Sequence, residues 1–148
     1  MSLKETINND IKTAMKAKDK ETLAVLRMIK TAIQAAEIDK KSDLTPEEEL
    51  TILSREAKQR RDSIAEFEKA NRPELVEKTQ GELAIVEKYL PAQLSLEEVK
   101  AKIAEIAEQV GAKTQKEFGK LMGAVMQALK GQADGNVIKE QVKAHLNK

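Results

Sequence analysis

EFGKLMGAVMQALKGQADG, residues Glu117 to Gly135, is the stretch on which the reading of this chain turns. Phe118, Leu121, Met122, Val125 and Leu129 recur at three- and four-residue intervals, which turns one face of a helix inward. Gly119 and Gly123 stand inside that same helix. An interior glycine costs a helix roughly 1 kcal/mol relative to alanine, so two of them are kept for what the missing side chains permit. Spaced by four, they share a face and invite the close approach of another backbone. That backbone is either a packed helix of the same protein, the preferred reading, or a ligand such as a nucleic-acid phosphate strand.

Immediately upstream, Ser95 and Glu98 form a capping box ahead of a helix with Leu96, Val99, Ile103, Ile106 and Val110 inward, and Gly111 ends it. Thr114 with Glu117 repeats the device and opens the glycine-bearing helix, which Gly131 is expected to end. Asp134 can cap a last helix that carries Val137, Ile138, Val142 and Leu146. Residues 95–148 therefore read as a small bundle of three helices. Pro91 interrupts the periodicity just before it and makes residues 91–94 a linker.

Residues 1–90 read as four more helices. The first, from Leu3 to Lys18, sets Leu3, Ile7, Ile11, Ala14 and Met15 on one side. Asp19 can cap the second, running to about Ile38, whose apolar residues cover most of its circumference; such a helix is expected to be enclosed by neighbours. Thr45, Pro46 and Glu48 together signal a third start, and the seam that follows is Leu50, Leu53, Ala57, Arg60, Ile64 and Phe67. Its single charged member, Arg60, is expected to snorkel or to pair with a carboxylate, a buried functional arginine being the alternative. Pro73 begins a fourth helix with Val76, Thr79, Leu83, Val86 and Leu90 inward; Gly81 interrupts it without evident purpose. No strand alternation occurs, so the fold class is all-α: an N-terminal helical bundle plus a small C-terminal three-helix domain.

Composition narrows the function. The 148 residues hold no cysteine, which removes disulfides, thiolate nucleophiles and Cys-based zinc sites, and the simplest compartment is the cytoplasm. The N-terminus MSLKETINNDIKTAMKAKDK lacks the apolar run of a secretory signal, and no segment approaches the roughly 18 apolar residues of a membrane span. His145 is the only histidine, too few for a multi-ligand zinc site, and its place near the end of the last helix suits the dipole. Neither a P-loop nor a dinucleotide fingerprint is present, so no metal, cofactor or catalytic residue is assigned.

The formal net charge is +1, but it is unevenly spread. From Gly111 onward seven lysines stand against three acids, a net of +4. Lys116 and Lys120 lie one turn apart beside Gly119 and Gly123, and Lys130 and Gly131 close the helix. A solvated lysine-rich face is the plain reading. The functional one is a phosphate backbone held by ammonium groups where glycines let the sugar-phosphate come near. Two aromatic types in three residues, Tyr89 and two phenylalanines, are too few for stacking of single-stranded bases, which leaves shape reading of a folded RNA.

Three motifs carry a resemblance. KQRRDSIAEFEKANRPELVEK at Lys58–Lys78, EKYLPAQLS at Glu87–Ser95 and FGKLMGAVMQALKGQADG at Phe118–Gly135 resemble a YqeY-type protein over the whole chain. The third also resembles the C-terminal tail of GatB, the B subunit of the glutamine-dependent aspartyl/glutamyl-tRNA amidotransferase, at Gly123, Met126, Lys130, Gly131 and Ala133. That tail is a small helical domain that touches the elbow of tRNA. The resemblance thus implies tRNA contacts at Gly119, Lys120, Gly123, Lys130 and Gly131, to which the charge pattern adds Lys116. It departs at Asp134-Gly135, where the tail usually has Asn-Pro. Nothing here resembles the ATP-binding catalytic part of that subunit or the amidase. Family membership implies an association with carbon–nitrogen ligation using glutamine as donor, without catalysis by this chain alone. The expected function is a non-catalytic tRNA-binding accessory linked to tRNA amidation; the alternative is a helical protein–protein interaction module in which Gly119 and Gly123 seat a partner helix.

Overall fold

A computed structural model describes residues 2–147. Among the described residues it contains seven α-helices, one 3-10 turn and no strand, in two compact units, residues 1–90 and 91–148.

The first unit consists of α1 (Leu3–Lys16), α2 (Lys20–Lys40), α3 (Pro46–Lys69) and α4 (Pro73–Glu87). Local chemistry sets these boundaries. The Asp19 side chain accepts the Thr22 N–H at 3.1 Å, and Lys18 and Lys41, both at positive φ, turn the chain after α1 and α2. Thr45 and Glu48 complete their capping box at the start of α3, and Lys40 joins the same carboxylate. Glu48 is drawn down to about 2 as a result, first by the Lys40 ammonium and then by the Thr45 N–H.

Ile7, Ala14, Leu26, Ile29, Ile33, Leu53, Ala57 and Val86 build the core. Two expectations for its neighbours are corrected. Met15 is 53% exposed, because it sits at the end of α1 beside the turn rather than over the core. Nor is α2 enclosed: Val25, Leu26, Ile29 and Ile33 face inward, while Met28 is 53% and Ile38 75% exposed. One layer of neighbours covers one side of a helix only.

Arg60 does not snorkel. At 5% exposure its guanidinium lies between two carboxylates, 3.4 Å from Glu56 and 3.4 Å from Glu82, and Nη1 donates to the Glu56 carbonyl at 3.0 Å. A cation so deep needs such partners, since removing it from water costs several kcal/mol. A Cβ on Gly81 would meet only the far end of the Glu21 side chain, a carboxylate oxygen at 2.8 Å that can swing aside, and no backbone atom within 4 Å. At the end of this unit the Tyr89 hydroxyl donates to Asp10 on α1, and burial, reinforced by that acceptor, pushes the phenol upward from its ordinary value.

The second unit holds α5 (Leu96–Val110), a 3-10 turn (Gln115–Glu117), α6 (Phe118–Ala128) and α7 (Gly135–Leu146). Val99, Ile103, Ile106, Leu121, Val125, Leu129, Ile138, Val142 and Leu146 interlock as its core. Ser95 and Glu98 form the capping box as read, and Gly111 at φ 73° reverses the chain after α5. Leu96, by contrast, is exposed at the first position of α5, and Ala107 takes the inward place instead.

The Thr114 box does not form. The first turn after Thr114 is 3-10, so Glu117 stands at the cap of α6 rather than three residues inside it, and the two side chains meet each other at 3.3 Å. Likewise α6 closes at Ala128, earlier than Gly131, whose φ of 77° makes the reversal that follows. That reversal is secured by residues 91–94: the Gln93 amide donates to the Gly131 carbonyl at 2.6 Å, and the Leu94 N–H to Gln132 at 2.9 Å.

Candidate nucleic-acid interface

Leu121, Val125 and Leu129 fix the orientation of α6, because each is fully buried in the second unit. The opposite face is thereby turned outward, and it carries Gly119 and Gly123. A Cβ built on either glycine meets no heavy atom within 4 Å. The preferred reading, that a neighbouring helix fills the space, is therefore corrected: α5 and α7 pack on the Leu121–Val125 side and leave the glycines bare. Helical periodicity announced that they share a face, but only packing decides which face is covered.

Lys116 in the 3-10 turn, Lys120 in α6 and Lys130 in the following turn are all exposed. Lys116 stands three residues before Gly119 and Lys120 three before Gly123, so their ammonium groups border the glycine face. Gly131 differs from the other two glycines. It is half-buried, its positive φ is what the turn requires, and its carbonyl is occupied by Gln93. Its contribution is to aim Lys130 rather than to lie open.

Two residues that were not among the expected contacts belong to this surface. Met126, one turn beyond Gly123, is 41% exposed, with its methyl group 3.6 Å from the position a Cβ would take on Gly135. Gln93 supports the Lys130 turn from 38 residues away in sequence, a contact no local pattern announces. Asp134 is accounted for as well: its carboxylate accepts the Asn136 N–H at 2.7 Å as the cap of α7. His145 is half-buried in the last turn of α7. Among the described residues, no group of three or more His, Cys, Asp or Glu is placed to hold a metal ion, and no helix is long and apolar enough to cross a membrane.

The family model for Yqey-like proteins matches residues 4–146. This chain belongs to the YqeY-like family. Among curated relatives, the protein named altered inheritance of mitochondria protein 41, mitochondrial, from Kluyveromyces lactis is 39% identical over 103 residues, covering 68% of this chain and 56% of its own. Its namesake from Pyrenophora tritici-repentis is 30% identical over 129 residues, covering 84% of this chain and 69% of its own. That from Saccharomyces cerevisiae strain S288c is 39% identical over 85 residues, covering 57% and 46%. The YqeY-like chain thus spans about half the length of the Kluyveromyces and Saccharomyces relatives.

These names overturn the cytoplasmic expectation, because each relative is named as a mitochondrial protein. The physical reason is plain. Lack of cysteine and of an apolar run argues against an oxidising compartment and a secretory leader, whereas mitochondrial leaders are amphipathic and basic rather than apolar. Neither criterion could tell the two compartments apart.

Proposed function

We propose that this YqeY-like protein is a non-catalytic RNA-binding accessory whose ligand is tRNA, held on the outward face of α6. The observation that carries the reading is the bare pair Gly119 and Gly123, open to 4 Å and flanked by the exposed Lys116 and Lys120, with Lys130 beyond the helix end. A helix that forgoes about 1 kcal/mol per glycine without using the space for packing has kept it for something outside its own unit. A ribose-phosphate strand fits: glycines admit it to the helix backbone and the ammonium groups neutralise phosphates. The resemblance of this stretch to the tail of an amidotransferase B subunit supports tRNA as the RNA and tRNA amidation as the setting.

Fluorescence anisotropy of labelled total tRNA, measured over a salt series, tests this. The wild type should bind with an affinity that falls steeply as salt rises, and a Lys116→Glu/Lys120→Glu/Lys130→Glu variant with unchanged helical circular dichroism should lose binding. Absence of binding by the wild type at low salt would sink the reading. A second reading is favoured by Met126, which puts an apolar side chain on the same face. On that reading the glycines seat a helix of a protein partner, and binding would be insensitive to salt.

A further inference from the structure

α6 ends at Ala128 and Leu129 is buried at 2%, so Lys130 is the first residue past the helix to face solvent. The register of α6 places Lys120, but it no longer places Lys130. The turn alone directs that side chain, and Gly131, at φ 77°, takes left- and right-handed backbone about equally well and so selects no single turn. Within the turn one bond helps to fix it, from the Gln132 N–H to the Leu129 carbonyl at 2.9 Å. Two more come from residues 91–94: the Gln93 amide donates to the Gly131 carbonyl at 2.6 Å, and the Leu94 N–H to the Gln132 carbonyl at 2.9 Å. Two successive carbonyls of the turn are thus tied to two successive residues of the linker.

Resting on the reading of α6 as an RNA face, we infer that Gln93 is a positioning residue for that ligand: its amide holds the turn that presents Lys130 to a phosphate. Chemistry fixes which end of the side chain does this. Gln93 Nε2 also meets the Pro91 carbonyl at 3.1 Å, and both of its partners are carbonyl oxygens, which only accept. The amide nitrogen must therefore face them, with one hydrogen for each. A side chain of the same length without a donor would leave the Gly131 carbonyl unheld and Lys130 free to take other directions. The EKYLPAQLS motif thereby gains a use beyond joining the two units, as part of the RNA site of the second.

The test compares the full-length wild type with Gln93→Met, Lys130→Ala and the double variant, by anisotropy of labelled total tRNA over a salt series. Gln93→Met keeps the length and the apolar stem but cannot donate. Unchanged nitrogen-15 resonances of Val99, Leu121 and Val142 would show that the second unit keeps its core. Lys130→Ala should lose one phosphate contact, which lowers the slope of log affinity against log salt by about 0.7–0.9. Gln93→Met should lower the slope by a similar amount and weaken binding about fivefold at about 0.1 M salt, the factor that slope gives relative to about 1 M. In the Lys130→Ala background it should change nothing further, whereas a merely destabilised unit would lose affinity in both backgrounds. The inference is overturned if Gln93→Met binds like the wild type, or if it weakens binding equally with and without Lys130. A second measurement needs no variant: saturating tRNA should slow hydrogen exchange at the Leu94 amide, because docking of residues 91–94 and RNA binding favour each other reciprocally. Unchanged exchange overturns the inference as well. A wild type that fails to bind at low salt defeats the RNA reading and this inference together, while a binding wild type with an indifferent Gln93→Met defeats this inference alone.

Discussion

Arg60 in α3 and Lys120 in α6 are both cations on helices, and they obey opposite rules. Arg60 is 5% exposed and held between Glu56 and Glu82, whereas Lys120 stands in solvent beside two bare glycines. A buried cation must find its counter-charge inside the fold, because desolvation leaves no alternative. A cation left unpaired on a surface with no side chains around it is available to a phosphate. Arg60 thus serves the interior of its own unit, whereas Lys120 is left facing outward.

The comparison breaks most visibly at Arg60. Arg60→Ala leaves two half-desolvated carboxylates without their cation and should destabilise the first unit by about 3–5 kcal/mol, read as a lower urea midpoint with little change in slope. A loss below 1 kcal/mol would mean that the cluster is solvated and the contrast with Lys120 is false. The second unit should respond in the opposite sense. Gly123→Ala places a methyl group into open space and restores helix propensity, so α6 should gain about 0.5–1 kcal/mol of stability while tRNA binding weakens. Higher thermal stability with undiminished binding would separate the glycine from the ligand.

The smallest effect concerns pH. Glu48 titrates at about 2 in the folded chain against an ordinary value of 4.5, so its contribution is fully present above 4.5 and is lost as pH falls from there toward 2. Glu48→Gln should lower stability at neutral pH and flatten that part of the acid limb in a denaturation series. Retention of the wild-type acid slope would show that Lys40 and the Thr45 N–H do not hold the carboxylate in solution.

Much of this was legible in advance where the signal is local. The capping boxes at Thr45 and Ser95, the Asp19 and Asp134 caps and the reversal at Gly111 each depend on atoms within a few residues, and each stands where the sequence places it. The Thr114 box failed for an equally local reason: a tighter first turn moved Glu117 out of register, which composition alone does not encode.

The candidate site was half legible. Lys116, Gly119, Lys120 and Gly123 could be grouped by helical spacing, but Gln93 could not, since its bond to the Gly131 carbonyl joins segments 38 residues apart. Compartment was misread because a missing cysteine and a missing apolar run are signals that two reducing compartments share.

By itself, then, the sequence determined an all-α chain, most of its helix starts and its place in the YqeY-like family, because periodicity, caps and motifs act over one or two turns. Only the tertiary structure decided that the glycine face of α6 is bare, that Met28 and Ile38 of α2 face water, and that Arg60 is enclosed. Which side of a helix is covered is set by the neighbours that pack on it, and a helix carries the same apolar stripe whether or not a neighbour arrives.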